Sequence, residues 1–414
     1  MIDRRKFIQL AAASGFACSV RGYAESTSAV LEPWQPGMLD IHHLAYGRGN
    51  SAFALCPDGT TLLIDAGTTE DPFDVSCAQK PNTHVRPGQW IASYVLRQMR
   101  AARRKELDYA LITHLHPDHL GDLGPENPPS PKGDYRLTGV MDVDAIVPIK
   151  NLIDRGFPDY NSPPPPQAPY AQNYLNYIAS RRRLSEATER FHVGSDSQIH
   201  LVRHPAAYPG FAVRNLAANG EVWTGVGEQT RRYFPDVKGT AEANHATENL
   251  CSLAIRLSYG KFNYFTGGDL TSDTEDSGQS WRDIETPVAQ AAGPVEVAVA
   301  DHHAYFDAVG PGFVRALRPQ AFIIPSWYIA HPAVLPLKRM LSTQLYPGNR
   351  EIYATCVMPA NRAVNNQFIT KVKSLEGHVI VRVAPGGDEF QIIVTDNSDD
   401  LDRIKLISEP HRCS

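Results

Sequence analysis

Five groups of residues in this chain have types and spacings that could do chemistry. The densest is His114-Leu115-His116-Pro117-Asp118-His119, three imidazoles and a carboxylate within six residues. Imidazole with carboxylate suits Zn²⁺ and, less selectively, Mn²⁺ or Fe²⁺. Alternate residues at a strand end project the same way, so His114 and His116 can share one ion. Asp118 and His119 follow a turn tightened by Pro117 and can face a second. Three further groups close apolar, strand-like runs: Asp65 after Leu62-Leu63-Ile64, Asp269 after Phe265-Thr266-Gly267-Gly268, and Asp301-His302-His303 after Val295–Ala300. The fifth is the pair Asn249 and Ser252, three residues apart.

The elements that must carry these groups are read from periodicity and turn residues. Strands are expected at Asp40–Ala45, Ser51–Cys56, Thr61–Asp65 and Leu107–Thr113, the last delivering the histidines. Further strands are expected at Gln198–Val202, Phe211–Leu216, Ser252–Leu257, Lys261–Thr266, Val295–Ala300 and Gln320–Pro325. Gly377–Asp396 reads as a hairpin turning at Pro385-Gly386-Gly387-Asp388. Helices are expected at Gln89–Arg104, with Ile91, Val95 and Met99 on one face, and at Tyr170–Glu189. Residues 124–170 read as loop-rich, with Pro163 to Pro166 as a stiff connector. Strands at both ends with helices between them suggest two sheets covered by helices.

Some candidates have plainer readings. His42 and His43 alternate within a strand, so one is expected to point inward and one outward. Arg181-Arg182-Arg183 reads as a solvated helix face. His331, before Pro332, is a cleft candidate. Cys56, Cys77, Cys251, Cys356 and Cys413 could supply a disulfide, but spacing identifies no pair.

The first 24 residues read as an export segment. Met1-Ile2-Asp3-Arg4-Arg5-Lys6-Phe7 is a short basic head, Ile8–Val20 is short and mildly apolar, and Gly22-Tyr23-Ala24 offers a cleavage site. The Arg pair with a Phe two residues on resembles a twin-arginine signal. That route carries folded proteins and suits one that takes up metal in the cytoplasm. The expected location is the periplasm or the exterior, after cleavage near Ala24, with the twin-arginine export machinery as partner. Residues 25–38 read as a linker, 39–396 as the catalytic domain and 397–414 as a C-terminal tail.

The chain has 414 residues, 42% of them hydrophobic, which excludes a disordered class. No apolar run reaches the roughly 18 residues that span a bilayer. Net charge is −5, and losing residues 1–24 removes four bases and one acid, giving −8. Nucleic acid is therefore not favoured as a partner, and a small-molecule substrate is.

The HxHxDH run from His114 to His119 resembles the metallo-β-lactamase superfamily. Leu62–Gly67, Phe265–Asp269 and Asp301–His303 resemble further motifs of that family, in its order, over residues 39 to about 395. The resemblance implies an αββα sandwich, two mixed β-sheets flanked by helices. It also implies two divalent ions, with Asp269 bridging them. The first ion would take His114 and His116. The second would take Asp118, His119 and one of His302 and His303. Asp65 would act on a ligand His from behind. Asn249-Leu250-Cys251-Ser252 and the residues after His303 are similar to the competence-channel (ComEC-type) hydrolase domain. Departures occur at Ala45–Asn50, where that family's pattern carries two acids, and at Ala304-Tyr305. Asn249 also stands where the wider superfamily brings a third histidine to the first ion, so the first site is expected to be the weaker, with His245 as a conceivable substitute.

The implied activity is hydrolysis by a bridging water that Asp118 orients or deprotonates. The expected substrate bond is an ester, lactone or amide. A phosphodiesterase or nuclease of the ComEC type is the alternative, and a non-catalytic metal-binding protein the second.

Overall fold

The strands that carry the site lie in two sheets packed face to face. The computed structural model describes residues 29–70, 74–236, 245–272, 274 and 278–414. The proposed export segment, and residues 25–28 of the proposed linker, lie outside the described residues. In chain order the strands are β1 (Leu39–His43), β2 (Ala52–Leu55), β3 (Thr61–Ile64), β4 (Leu107–Leu111), β5 (Ile149–Asp154), β6 (Ala187–Arg190), β7 (Phe211–Ala218), β8 (Glu221–Trp223) and β9 (Thr230–Arg232). They continue as β10 (Ala254–Tyr259), β11 (Phe262–Thr266), β12 (Val297–Val299), β13 (Ala321–Ile324), β14 (Glu351–Ala354), β15 (His378–Val383), β16 (Glu389–Thr395), β17 (Ile404–Ile407) and β18 (His411–Arg412).

One sheet runs β17-β16-β15-β1-β2-β3-β4-β5-β6, with β18 beside β16; the other runs β14-β13-β12-β11-β10-β7-β8-β9. Strands β3 to β6 are parallel to one another, and so are β11 to β14. Parallel neighbours need crossovers, which here carry helices such as α1 (Pro87–Met99) between β3 and β4. Side-chain alternation then splits the apolar residues between layers. Leu62, Ile64, Tyr109 and Leu111 face the core between the sheets, whereas Leu63 and Ala110 face Tyr94 and Val95 of α1. On the far side, Phe265 meets Val288 and Phe313 of the second helical layer. The result is two mixed sheets flanked by helices, the αββα arrangement.

Burial on both faces corrects two readings. His42 and His43 do point to opposite faces, but neither is outward, because each face is covered. His42 Nδ1 lies 3.0 Å from the Tyr94 hydroxyl on the helical side, and His43 Nε2 lies 3.4 Å from the Tyr264 hydroxyl between the sheets. Arg181 is not on a solvated face either. It is buried, its guanidinium 3.0 Å from Asp144 and donating to the Ile149 and Ala187 carbonyls, while Arg182 and Arg183 remain exposed.

Gln198–Val202 is not a strand. Ile199 and Leu201 are buried as their alternation requires, but the backbone is held by side chains: Val202 N–H donates to Thr60 Oγ1, and Gln198 N–H to Ser195 Oγ. The region read as loop-rich contains β5 and α2 (Gly139–Ile146). The helix expected over Tyr170–Glu189 is α3 (Pro169–Arg183), followed by β6. Among the described residues, no helix is long and apolar enough to cross a membrane.

Candidate metal centre

Every cluster residue leaves the sheets at the carboxyl end of a parallel strand. Asp65 follows β3, His114 to His119 follow β4, Asp269 follows β11, and His302 and His303 follow β12. Convergence there is what parallel strands in paired sheets provide. The turns are locked to one another through their backbones. Ala66 N–H donates to the His119 carbonyl, Gly67 N–H to Asn50, and Thr68 N–H to Pro117. Gly67 must lack a side chain, since a Cβ there would lie 1.6 Å from the Asp118 carbonyl oxygen.

Two groups of donors result. Asp118, His119, Asp269 and His303 form one; His114, His116 and Asp269 form the other, each with its ligand atoms within 4.8 Å of one another. Asp269 divides its oxygens between them. Its Oδ1 is 3.1 Å from His119 Nε2 and 3.4 Å from His303 Nε2, and its Oδ2 is 3.7 Å from His114 Nε2. Asp118 Oδ2 lies 3.0 Å from His303 Nε2.

The donor set fits divalent ions. His119 Nδ1 is 2.7 Å from Asp65 Oδ2 and His303 Nδ1 is 2.9 Å from the Pro325 carbonyl, so both rings carry their proton on Nδ1. Their Nε2 lone pairs then face each other at 3.4 Å, and His114 Nε2 faces His116 Nδ1 at 3.1 Å. Asp269 Oδ1 is buried without a hydrogen-bond donor. Lone pairs and carboxylates gathered this closely, with so few protons between them, call for cations. Residues His114, His116 and Asp269 would hold one ion, and Asp118, His119, His303 and Asp269 the other.

Asp65 sits wholly buried behind this centre. It receives the Thr113 N–H and hydroxyl at 2.8 Å each and the Asn50 amide at 3.1 Å, besides its contact with His119. An amide suits position 50, since a carboxylate there would face Asp65 with no proton between them. Ser252 Oγ accepts the Asp269 N–H at 3.0 Å, fixing the bridging carboxylate's backbone. Behind the His114–His116 turn, Glu248 Oε1 accepts the Leu115 N–H at 2.8 Å. Glu248 is itself gripped by Arg155, at 2.6 and 2.5 Å, and the Arg155 side chain is fully buried. Sequence reasoning missed Glu248, Arg155 and Thr113. Only Thr113, immediately before the motif, carried a local signal.

The tandem histidines diverge. His302, His303 and Ala304 have φ of +44°, +55° and +59°, a left-handed turn costing about 1–2 kcal/mol per residue. His303 enters the Asp118 group, whereas His302 lies beside Asn249, with 3.2 Å between its Nε2 and the Asn249 Nδ2. His331 is buried against His303, ring centroids 4.8 Å apart and nearly parallel, so it backs the centre and does not enter either donor group. His245 is exposed and likewise outside both groups; its carbonyl accepts from Arg282.

A cleft of about 810 Å³ opens beside His116. Pro163 to Pro166, Phe234 and Trp281 line it, and so do Arg232 and His245. Asp118 is 9% exposed against 2% for Asp269, so it is the carboxylate better placed to meet a bound substrate.

Residues 45–125, from the end of the first strand to just past the His114–His119 turn, match the model described as the metallo-beta-lactamase superfamily. The chain thus carries a metallo-beta-lactamase superfamily domain. With the αββα fold and the two donor groups, this is a metal-dependent hydrolase. Among solved structures, the chain is similar to a candidate metal-dependent hydrolase of Parabacteroides distasonis. That similarity is 11% identity and a TM-score of 0.34, covering 78% of this chain and 97% of that one. It is also similar to human tRNase Z, short form, at 10% identity and a TM-score of 0.26, covering 63% of this chain and 77% of that one. Similarities this low say nothing about substrate. No curated protein matches the chain.

Proposed function

We propose that this chain is an exported, Zn²⁺-dependent hydrolase of a carboxylic ester, lactone or amide. The observation that carries the substrate class is the cleft beside His116, where the proline run, Phe234 and Trp281 form an apolar wall opposite polar residues such as Arg232, Asp236 and His245. An apolar wall of this kind takes up the uncharged organic part of a substrate, and the net charge of −5 gives no attraction for a polyanion. Two divalent ions, when bound, supply Lewis acidity and an acidified water. Asp118 then holds or accepts the proton of the attacking oxygen. His303 Nε2, 3.0 Å from Asp118 Oδ2, would share the second ion with it, and Asp65 keeps His119 in the tautomer that leaves Nε2 free. Arg232 and His245 at the cleft favour a second reading, a phosphodiesterase of the ComEC type, because a cation and an imidazole there suit a phosphate ester.

Turnover of chromogenic esters, lactones, β-lactams and bis-aryl phosphates separates these readings. Ester, lactone or amide hydrolysis lost on chelation and restored by Zn²⁺ is expected. Phosphodiester hydrolysis alone would transfer the assignment to the second reading. Metal-loaded protein inert toward every member would overturn both.

Export rests on the Arg4-Arg5 pair and is supported by the Cys77–Cys356 disulfide, a bond at home in oxidising compartments. Lysine keeps charge but not the guanidinium fork. Replacing both arginines by lysine should therefore retain folded protein in the cytoplasm. Undiminished periplasmic delivery of that variant would refute the twin-arginine route.

A further inference from the structure

We infer that the tandem histidines serve different ions, with His302 completing the first site beside His114 and His116 while His303 serves the second. The inference rests on the metal-dependent reading above and refines its ligand set. Three observations point the same way. His302 Nε2 lies 3.9 Å from Asp269 Oδ2, the oxygen turned toward His114, whereas His303 Nε2 lies 3.4 Å from Oδ1, the oxygen turned toward His119. Each Asp269 oxygen therefore faces two imidazoles, one from the His114–His119 turn and one from the tandem pair.

His302 is also prepared as a ligand. Its Nδ1 lies 2.6 Å from Asp307 Oδ1, so the proton is on Nδ1; its Nε2 lone pair takes the Asn249 Nδ2–H at 3.2 Å, a contact that an ion at the first site would replace. A carboxylate behind the distal nitrogen both fixes the tautomer and raises ligand basicity. His119 has the same arrangement with Asp65.

His302 and His303 are adjacent in the chain, yet their rings are directed to different oxygens of Asp269. The left-handed turn at His302 and His303 is what separates them, with ring centroids 6.2 Å apart. Asn249 shares the His302 side of the centre, and its Oδ1 is buried without a donor, an acceptor available to a cation. The first site then holds three imidazoles and one carboxylate oxygen, against two imidazoles and two carboxylates for the second. The imbalance expected from the replacement of a third histidine by Asn249 is thereby removed.

Metal titration of the apo protein tests this, with Co²⁺ absorption and bound-metal analysis as readouts. Wild type should bind two ions. His302→Ala should retain one ion and lose the other by at least about 10-fold in affinity, and Asp307→Asn should weaken that same ion by about 10- to 100-fold. His303→Ala should spare the ion that His302→Ala loses. Folding is checked by circular dichroism, and Asp307→Asn, a milder change, keeps the test open if His302→Ala is misfolded. His302→Ala and Asp307→Asn each binding two ions with wild-type affinity would overturn the assignment while leaving metal-dependent hydrolysis intact. A wild type that binds no metal would instead overturn the functional reading beneath it.

Discussion

Replacing Asp269 by Ala should lower hydrolysis by about 10³-fold or more and strip metal from both sites, with the fold retained. The magnitude follows from the several kcal/mol that a divalent ion contributes to a developing oxyanion, at about 1.36 kcal/mol per tenfold. Asp269 is the one residue shared by both donor groups, its two oxygens directed to opposite sides of the centre. Its Oδ1 is buried without a hydrogen-bond donor. The fold should survive because Asp269 anchors the chain through its backbone N–H to Ser252, a contact that alanine keeps. Activity assays, bound-metal analysis and circular dichroism read the three parts separately. A variant with wild-type activity and two bound ions would mean that Asp269 does not bridge.

Much of this centre was legible because its parts are local. His114 to His119 sit within six residues, so residue type and strand-end geometry suffice to call for metal. Asp65, Asp269 and the tandem histidines were also marked, since each ends an apolar run that had to be a buried strand. Two kinds of feature stayed hidden. Contacts between distant segments leave no local trace: Glu248 reaching Leu115, Asp307 behind His302, and a disulfide whose cysteines are 279 residues apart. Hydrophobic alternation also reports burial, not hydrogen bonding. Ile199 and Leu201 are therefore core residues without a strand, and His42 and His43 are both interior because a four-layer fold covers each face of the sheet. Arg181 misled for a related reason. Three consecutive arginines look solvated, but the position of one on the helix turns it toward Asp144 in the interior.

Glu248→Ala should destabilise the protein by about 3–5 kcal/mol, the usual cost of stranding a buried charge. The side chains of Arg155 and Glu248 are 0% and 5% exposed, and they meet in a two-point contact at 2.6 and 2.5 Å. Without Glu248, the Arg155 guanidinium keeps hydrogen bonds to the Pro163 carbonyl and the Asn219 amide oxygen, at 3.0 and 3.3 Å, and loses its two-point carboxylate partner. The Leu115 N–H, between the two first-site histidines, loses its acceptor as well. Stability and metal binding should therefore fall together, with the His114–His116 ion more affected than the other. Removing the charge along with its partner should undo much of the damage. Arg155→Leu combined with Glu248→Leu should be more stable than Glu248→Ala, because no charge is left desolvated. Denaturant unfolding of the two variants and wild type gives the comparison. If Glu248→Ala lost less than about 1 kcal/mol, or the double variant were the less stable, the pair would not be the anchor of the His114–His116 turn.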